Sequence, residues 1–311
     1  MTELRLSYAN IEHGGKTEAG YSAYSGDGGP YDYSRVTGML HDGDFPDIFV
    51  MGEADDYELH GMEGAWEAAA AIRAAGGPGY MPLPCSLPRE WGPFAPMIFV
   101  DPTKVVVRRF YYHRLPGFAA RNRNLLVFTL PGRDDPIRLV PWHGDIYSGD
   151  TRLADNRRFD RFADPAIPCA LLGDWNTVPS GPHFEPTDLN KPGTYNSRQI
   201  NRKVQFQGGT RQAGPHNYDT RALDALVGWL NPDTGKREGG VGFHHAAELA
   251  EDYTPTQIER PTGRQPLAID GILLNDPLAA AYVPGSYRVH DFRDPGHPES
   301  DHKRVSVTID I

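Results

Sequence analysis

The sequence predicts an α/β protein in which sheets and helices form layers, organised as a single domain over residues 1–311. Short apolar runs, each closed by glycine or a polar turn, recur along the chain and are typical of buried strands. Glycine and proline are abundant, with 34 and 28 residues among 311, which favours many turns over a long helical bundle. Length alone favours two domains, but no repeat, low-complexity tract or clean linker divides the chain.

The composition limits the partners and the compartment. A net charge of −10 disfavours tight, non-specific binding of a polyanion over the whole surface. The two cysteines, Cys85 and Cys169, provide no disulfide framework. No stretch approaches about 18 apolar residues and the first residues carry no long apolar segment, so we expect neither a membrane span nor a signal peptide. The expected location is the cytoplasm.

The N-terminal part is predicted to form two strands and a helix. Residues 4–9 alternate apolar and polar side chains, as a half-buried strand does, and this strand ends at Asn10. The four apolar residues 48–51 predict a buried strand that leads to Glu53. Residues at helical spacing over 59–73 then predict an amphipathic helix that covers the sheet. Its predicted buried face consists of Leu59, Met62, Trp66, Ala69, Ala70 and Arg73.

The same signals predict the remaining elements. Strands are predicted at 97–100, 105–109, 125–130, 138–140, 166–172, 268–274, 287–289 and 305–311. Helical spacing occurs at 152–162 and 220–230. Two long glycine-rich or polar segments, 14–33 and 177–219, are predicted to be surface loops. We expect these loops to select the substrate, because long loops in compact domains are usually functional or disordered.

The segment Gly173-Asp174-Trp175-Asn176 closes the apolar run at 166–172. Side chains two positions apart on an extended chain point the same way, so Asp174 and Asn176 form an acceptor and donor pair. Alone, this pair has an ordinary explanation, because Asp and Asn are common turn formers.

Other predicted strand ends carry the same residue types, which strengthens a functional interpretation. Asn, Asp, Glu or His residues stand at six of these ends, at Asn10, Glu53, His143, Asp174 with Asn176, Asp270, and Asp301-His302. Strand ends that share one edge of two packed sheets converge. The six ends could therefore line a single cleft.

These segments together resemble the endonuclease/exonuclease/phosphatase superfamily. The resemblance follows the expected order over nearly the whole chain, in Tyr8-Ala9-Asn10-Ile11, Met51-Gly52-Glu53, Trp142-His143, Gly173-Asp174-Trp175-Asn176, Ile269-Asp270-Gly271-Ile272-Leu273 and Ser300-Asp301-His302. Two departures are visible. Gly52 stands where the family usually has Gln or Leu, and His143 lies in Pro-Trp-His-Gly-Asp rather than the usual His-Leu. Glu12 and His13, beside the first motif, match no fixed family role.

The resemblance implies a four-layered α/β sandwich, with two mixed β-sheets packed face to face and helices outside. It also implies hydrolysis of phosphate esters with a divalent metal. Glu53 and Asp301, supported by Asn10, are the implied ligands, and their hard oxygen donors suit Mg²⁺ or Mn²⁺. Neither a cysteine nor a histidine pair suggests zinc.

The resemblance also implies roles for the remaining residues. Asp174 would orient or deprotonate the attacking water, and Asn176 would donate to a phosphate oxygen. His302, its tautomer fixed by Asp270, would donate to the phosphoryl oxygens as charge accumulates. His143 is the candidate for a second donor, to the phosphate or to the leaving oxygen.

Substrate identity stays open at this point. The basic side chains are mostly arginines that occur in clusters, and guanidinium groups suit phosphate oxygens. Candidate substrate-binding residues are Arg152, Tyr195, Arg198 and Arg202. The net charge favours a small or lipid-linked phosphate ester, whereas arginines interleaved with aromatic residues favour a DNA or RNA nuclease. A catalytically silent binding protein on the same fold is a third hypothesis, which the intact set of site residues disfavours.

Overall fold

The computed structural model describes residues 2–16, 30–85, 94–111, 124–184, 202–204, 206–207, 210–211, 218–258, 266–296 and 298–311. The strands in these ranges are β1 (Glu3–Asn10), β2 (Ile48–Gly52), β3 (Met81–Pro84), β4 (Met97–Val100), β5 (Val106–Tyr111), β6 (Leu125–Thr129), β7 (Ile137–His143), β8 (Cys169–Asp174), β9 (Phe206–Gln207), β10 (Thr210–Arg211), β11 (Trp229–Asn231), β12 (Lys236–Glu238), β13 (Phe243–His245), β14 (Asp270–Asn275), β15 (Arg288–His290) and β16 (Arg304–Asp310). The helices are α1 (Tyr33–Gly38), α2 (Glu63–Ala74), α3 (Gly149–Asn156), α4 (Arg221–Val227), α5 (Ala246–Ala250) and α6 (Asp276–Ala280). Short 3₁₀ segments occur at His13–Gly15 and Arg157–Phe162.

Twelve of these strands form two mixed six-stranded sheets. The first sheet has the order β15-β16-β1-β2-β4-β3, and the second has the order β13-β14-β8-β7-β6-β5. Each sheet has one parallel pair, β1 with β2 and β7 with β8, among antiparallel neighbours. Parallel neighbours end at the same edge of a sheet, so the last residues of each pair lie side by side.

Three apolar clusters lie between the layers and pack them together. The largest lies between the sheets, where Leu6 and Val50 of the first sheet share a cluster with Leu172 and Ile272 of the second. A second cluster packs α1 and α2 on the outer face of the first sheet, and a third packs α4 and Arg157–Phe162 on the outer face of the second. The order helix, sheet, sheet, helix confirms the predicted four-layered α/β sandwich.

The predicted strands are present, with boundaries that differ by a few residues. The predicted buried face of the first long helix is wrong for all of its residues except Ala69. Helix α2 begins at Glu63 instead of residue 59, and it buries a face of small residues together with Ile72. Trp66, which was expected to face the sheet, is 51% exposed. Large side chains at helical spacing suggested one face, whereas close approach of helix and sheet requires small residues such as Ala65 and Ala68.

The predicted loops lie only partly within the described ranges. In the 14–33 segment the structure describes Gly14–Lys16 and residues 30–33, of which Gly14, Gly15 and Lys16 are buried. Residues 185–201 of the second loop lie outside the described ranges. Where the chain is described, no helix has both the length and the apolar character needed to cross a membrane.

Candidate functional site

Asn10 and Glu53 stand at the ends of the parallel strands β1 and β2. Asn10 Nδ2 donates to Glu53 Oε1 at 3.0 Å, and Asn10 Oδ1 accepts from the main-chain N–H of Glu12 at 3.0 Å. The second bond fixes the orientation of the amide. Ser300 Oγ donates to the main-chain oxygen of Asn10 at 2.7 Å, which ties this end of β1 to the segment before β16.

His143 and Asp174 occupy the matching position in the second sheet, paired in register across β7 and β8. His143 Nε2 lies 3.3 Å from Glu53 Oε1 and 3.9 Å from Asp174 Oδ2. Asp174 Oδ2 is also 3.4 Å from Asn10 Nδ2. The ends of the two sheets therefore meet at one site. Burial favours a raised pKa for Glu53, but His143 and Asn10 outweigh it and hold that pKa at about 2.

His302 and Asp270 form a buried imidazole–carboxylate pair beside Asp174. Asp270 is paired in register with Asp174 across β14 and β8. Asp270 Oδ2 lies 2.7 Å from His302 Nδ1 and accepts a hydrogen bond from Thr256 Oγ1 at 2.6 Å. Burial would lower the pKa of His302, but the carboxylates of Asp270, Asp301 and Asp174 raise it well above its ordinary value. A cationic imidazole therefore borders the site.

Asn176 is held from both ends of its side chain. Its Nδ2 donates to Gly144 O at 3.2 Å, and Lys203 Nζ donates to both its main-chain oxygen at 2.8 Å and its Oδ1 at 3.3 Å. The main-chain N–H of Asn176 donates to Asp174 Oδ1 at 2.7 Å. Lys203 is buried and orients the amide that the sequence suggested as a phosphate donor.

The four predicted substrate-binding residues differ in where the structure places them. Arg152 is buried, and its two terminal nitrogens donate to the main-chain oxygens of Asp145 and Arg202 at 2.8 and 2.9 Å. We assign it a structural role, in place of the predicted substrate contact. The Arg202 guanidinium lies 4.6 Å from the ring centroid of Tyr147, which is 53% exposed. Tyr195 and Arg198 lie outside the described residues.

Two residues that orient the site, Lys203 and Thr256, do not follow from any pattern in the sequence. Lys203 belongs to a basic cluster, but its burial depends on tertiary packing. Thr256 belongs to no motif, and its bond to Asp270 depends on how the segment before β14 folds back. Contacts between residues distant in sequence cannot be deduced from local periodicity.

Comparison with known proteins gives a fold-level relationship. No protein-family model matches the sequence, and no curated protein sequence is significantly similar to it. Several solved structures are similar over nearly the whole chain. An AP endonuclease from Archaeoglobus fulgidus has a TM-score of 0.58 at 14% identity, covering 99% of this chain and 100% of its own. The chain has the endonuclease/exonuclease/phosphatase fold.

Two further structures with this fold give similar values. An endonuclease/exonuclease/phosphatase family protein from Bacteroides thetaiotaomicron has a TM-score of 0.56 at 15% identity, covering 99% of this chain and 97% of its own. Truncated TDP2 from Caenorhabditis elegans has a TM-score of 0.54 at 13% identity, covering 99% and 98%.

The endonuclease/exonuclease/phosphatase fold raises the question of whether these residues fit a divalent metal. Two groups of three residues each bring their ligand atoms within 4.8 Å of one another. Glu53, His143 and Asp174 form one group, and Asp174, Asp270 and His302 form the other. Facing carboxylate oxygens such as those of Glu53 and Asp174 suit a hard divalent cation. Asp301 belongs to neither group, and its Oδ1 lies 3.8 Å from His302 Nε2.

Substitution of Glu53 by glutamine should weaken metal binding. The amide keeps the shape of the side chain but removes its negative charge, so we expect the Kd for Mn²⁺ to rise by about 10- to 100-fold. Titration calorimetry of the purified protein with Mn²⁺ measures this. Glu67→Gln is the matched control, because Glu67 lies on α2 and bonds Tyr33. An unchanged Kd in Glu53→Gln would remove Glu53 from the ligand set.

The structure explains why glycine precedes Glu53 in this chain. A Cβ placed on Gly52 would collide with the hydroxyl of Tyr8, and would lie 2.9 Å from Tyr8 Cζ. Tyr8 is fully buried beneath the site, two residues before Asn10 on the same strand. The phenol therefore fills the space that a side chain at position 52 would occupy.

Gly52→Ala should consequently lower the free energy of unfolding by about 1–3 kcal/mol, the usual cost of overpacking a core. Tyr8→Phe in the same chain removes the hydroxyl and should recover part of that loss. Urea unfolding followed by circular dichroism measures both effects. Gly79→Ala is the control, since Arg73 Nη1 at 3.8 Å is the nearest atom to a Cβ there. Additive effects of the Gly52 and Tyr8 substitutions would show that the two positions do not compete for space.

Proposed function

We propose that the protein is a divalent-metal-dependent hydrolase of phosphate esters. The observation that carries this proposal is the convergence of Glu53, Asp174 and the His302–Asp270 pair from both sheets at one edge of the sandwich. The site combines a carboxylate that can orient and deprotonate water, a buried cationic imidazole and a set of carboxylates that suits a metal. Intact metal and acid–base residues are not expected of a silent binding protein.

In the proposed reaction, water attacks phosphorus in line with the departing oxygen. Asp174 orients the water and accepts its proton; its Oδ1 is held by the N–H of Asn176. His302, fixed through Nδ1 by Asp270, directs Nε2 to the phosphoryl oxygens as their charge grows. Asn176 Nδ2 is a further donor to a phosphate oxygen, and His143 is a donor to the phosphate or to the leaving oxygen. Proton transfer contributes about 10²–10⁴-fold.

The metal at Glu53 and Asp174, Mg²⁺ or Mn²⁺, would supply Lewis-acid stabilisation of phosphoryl charge. Asn10 supports this place by holding Glu53 through its amide. Asp301 remains a proposed ligand next to His302. Two of the structurally similar proteins are named AP endonuclease and TDP2, and a third is named for the endonuclease/exonuclease/phosphatase family, which supports phosphoester chemistry as the class.

Two substrate classes compete within this chemistry. The net charge of −10 favours a small or lipid-linked phosphate ester. One specific feature favours a nuclease instead, namely the exposed Tyr147 with Arg202 stacked on it. Tyr147 follows His143 by four residues, and Lys203, the neighbour of Arg202, bonds Asn176. An aromatic ring and a guanidinium at the edge of a phosphate site are suited to a base and its phosphate.

An activity panel tests the proposal. Purified protein with Mg²⁺ or Mn²⁺ is incubated with plasmid, single-stranded DNA, RNA, phosphomonoesters and chromogenic phosphodiesters, with and without a chelator. We expect chelator-sensitive hydrolysis of at least one class. Cleavage of phosphomonoesters alone rejects the nuclease alternative, and chelator-resistant activity contradicts the metal assignment. Hydrolysis of none of the substrates contradicts the proposed function.

A further inference from the structure

The turn after Asn10 holds four consecutive residues in the positive-φ region of the backbone map. The φ angles are +49° at Glu12, +54° at His13, +67° at Gly14 and +76° at Gly15. Glycine adopts this region freely, but Glu12 and His13 do so at a cost of about 1–3 kcal/mol each. Strained backbone of this kind persists only where surrounding contacts impose it, and it is concentrated at functional sites.

Contacts with the site impose this conformation. The N–H of Glu12 donates to Asn10 Oδ1 at 3.0 Å, and the N–H of His13 donates to Glu53 Oε2 at 3.2 Å. The main-chain oxygen of Gly14 accepts from Tyr57 at 2.9 Å. His13 is therefore fixed directly beside the carboxylate that we assign to the metal.

The His13 ring is held by a buried carboxylate. Its Nδ1 lies 3.0 Å from Asp55 Oδ2, and the Asp55 side chain is fully buried whereas that of His13 is 31% exposed. His302 and Asp270 show the same arrangement at 2.7 Å. Contact through Nδ1 directs Nε2 away from the buried acid, and this defines which ring atom a ligand meets.

Aromatic contacts connect the His13 ring to His143 of the site. The ring centroids of His13 and Phe94 are 6.5 Å apart, and Phe94 stacks on His143 at 4.9 Å with an interplanar angle of 11°. His143 is the residue that contacts both Glu53 and Asp174. His13, Phe94 and His143 therefore form a row along the Glu53 side of the site.

The charges around His13 indicate what kind of group binds there. Carboxylates of Glu12, Glu53, Asp55 and Asp56 surround the turn. Lys16 is paired with Asp56 at 2.7 Å, and Arg35 lies 3.5 Å from Glu12. A second phosphate would meet this acidic environment unfavourably, whereas an uncharged hydroxyl can exchange a hydrogen bond with an imidazole nitrogen.

We propose that His13, positioned by Asp55, is a substrate-contacting residue that hydrogen-bonds a hydroxyl of the organic group esterified to the phosphate. The site would thereby prefer sugar or polyol esters to simple alkyl esters. This inference rests on the proposed phosphoesterase function and deepens it by naming the alcohol that the enzyme selects. A site built to bond a hydroxyl discriminates strongly against analogues that lack it.

Two phosphodiesters that share the 4-nitrophenyl group test this selection. One is thymidine 5′-(4-nitrophenyl) phosphate and the other is methyl 4-nitrophenyl phosphate. The main variant is His13→Asn, because asparagine tolerates the left-handed backbone. Asp55→Asn is the second variant, and His41→Asn is the control, since the exposed His41 contacts Gly38 away from the site.

We expect His13→Asn to lower the ratio of kcat/KM for the thymidine ester to that for the methyl ester by about 10- to 100-fold, as expected for a lost hydrogen bond to the substrate. Asp55→Asn should lower the ratio less, and the control should leave it unchanged. The Kd for Mn²⁺ should stay within about twofold, because the hydrogen bond from His13 to Glu53 comes from the main-chain N–H, which the substitution keeps. An unchanged ratio, or an equal loss on both esters with a shifted Mn²⁺ affinity, overturns the inference.

Failure of the proposed function is distinguishable from failure of this inference. If the wild-type protein hydrolyses neither ester, then neither is a substrate. Selection is then measured by calorimetric binding of thymidine 5′-phosphate and methyl phosphate. Preferential binding of the thymidine ester that is lost in His13→Asn supports the hydroxyl contact without turnover. Equal or absent binding of the two ligands overturns it.

Discussion

Asp174→Asn is expected to reduce turnover by at least about 10³-fold while the fold stays intact. Asparagine keeps an oxygen for the hydrogen bond from the N–H of Asn176, which is 2.7 Å from Asp174 Oδ1. It removes the negative charge and the ability to accept a proton from water, and it also weakens the proposed metal set. General-base catalysis alone contributes about 10²–10⁴-fold, and metal stabilisation adds to that loss.

The fold should survive this substitution because Asp174 lies close to other acidic groups. Glu53 and Asp270 approach the same point, so removal of one charge lowers the repulsion among them. Circular dichroism and the thermal midpoint test this expectation alongside steady-state kinetics on the substrate identified by the panel. Asp276→Asn is a matched control, because Asp276 directly follows β14 and contacts the exposed His244. Residual activity above about a tenth of wild type would exclude Asp174 as the base.

Strand ends account for what the sequence could predict of this site. Asn10 ends a strand that alternation of apolar and polar residues predicts, Asp174 ends one that an apolar run predicts, and Asp270 begins the observed strand β14; the sheet register then brings Asp174 beside Asp270. The residues that converge are those whose positions follow from strand periodicity and from the shared edge of two sheets. At these strand ends the local sequence pattern and the overall fold agree, so the positions of the site residues could be predicted from the sequence.

Residues that act through tertiary contacts were not predictable in this way. Arg152 has a guanidinium group that would suit a phosphate, but its side chain is buried and donates to main-chain oxygens. Asp55 lies two positions after Glu53, and no sequence pattern marks it as part of the site. Its pairing with His13 arises because the turn after Asn10 packs against the turn after β2. The prediction of the buried face of α2 was wrong for a related reason, because the spacing of apolar residues does not determine how closely a helix approaches its sheet.

The second large effect is expected from the His302–Asp270 pair. Asp270→Asn removes the counter-charge from an imidazole that is almost fully buried, with Nδ1 2.7 Å from the carboxylate. His302 should then lose both its fixed tautomer and its cationic form, and turnover should fall by about 10²–10⁴-fold. His302→Gln should give a loss of similar size, because each substitution disables the same donor.

A double-mutant cycle separates this catalytic coupling from stability. Breaking a buried pair by removing one partner typically costs about 3–5 kcal/mol, because the remaining group must either stay charged without its partner or give up its charge. The double variant Asp270→Asn/His302→Gln should therefore unfold at a higher urea concentration than Asp270→Asn alone, yet be no more active. Thr256→Val, which removes the 2.6 Å bond to Asp270 Oδ2 but keeps the pair, should reduce turnover less than either single substitution. Independent, additive losses in turnover would mean that His302 and Asp270 act separately. A shared loss together with restored stability identifies the pair as one buried unit, whose charge is retained for the chemistry at the phosphate.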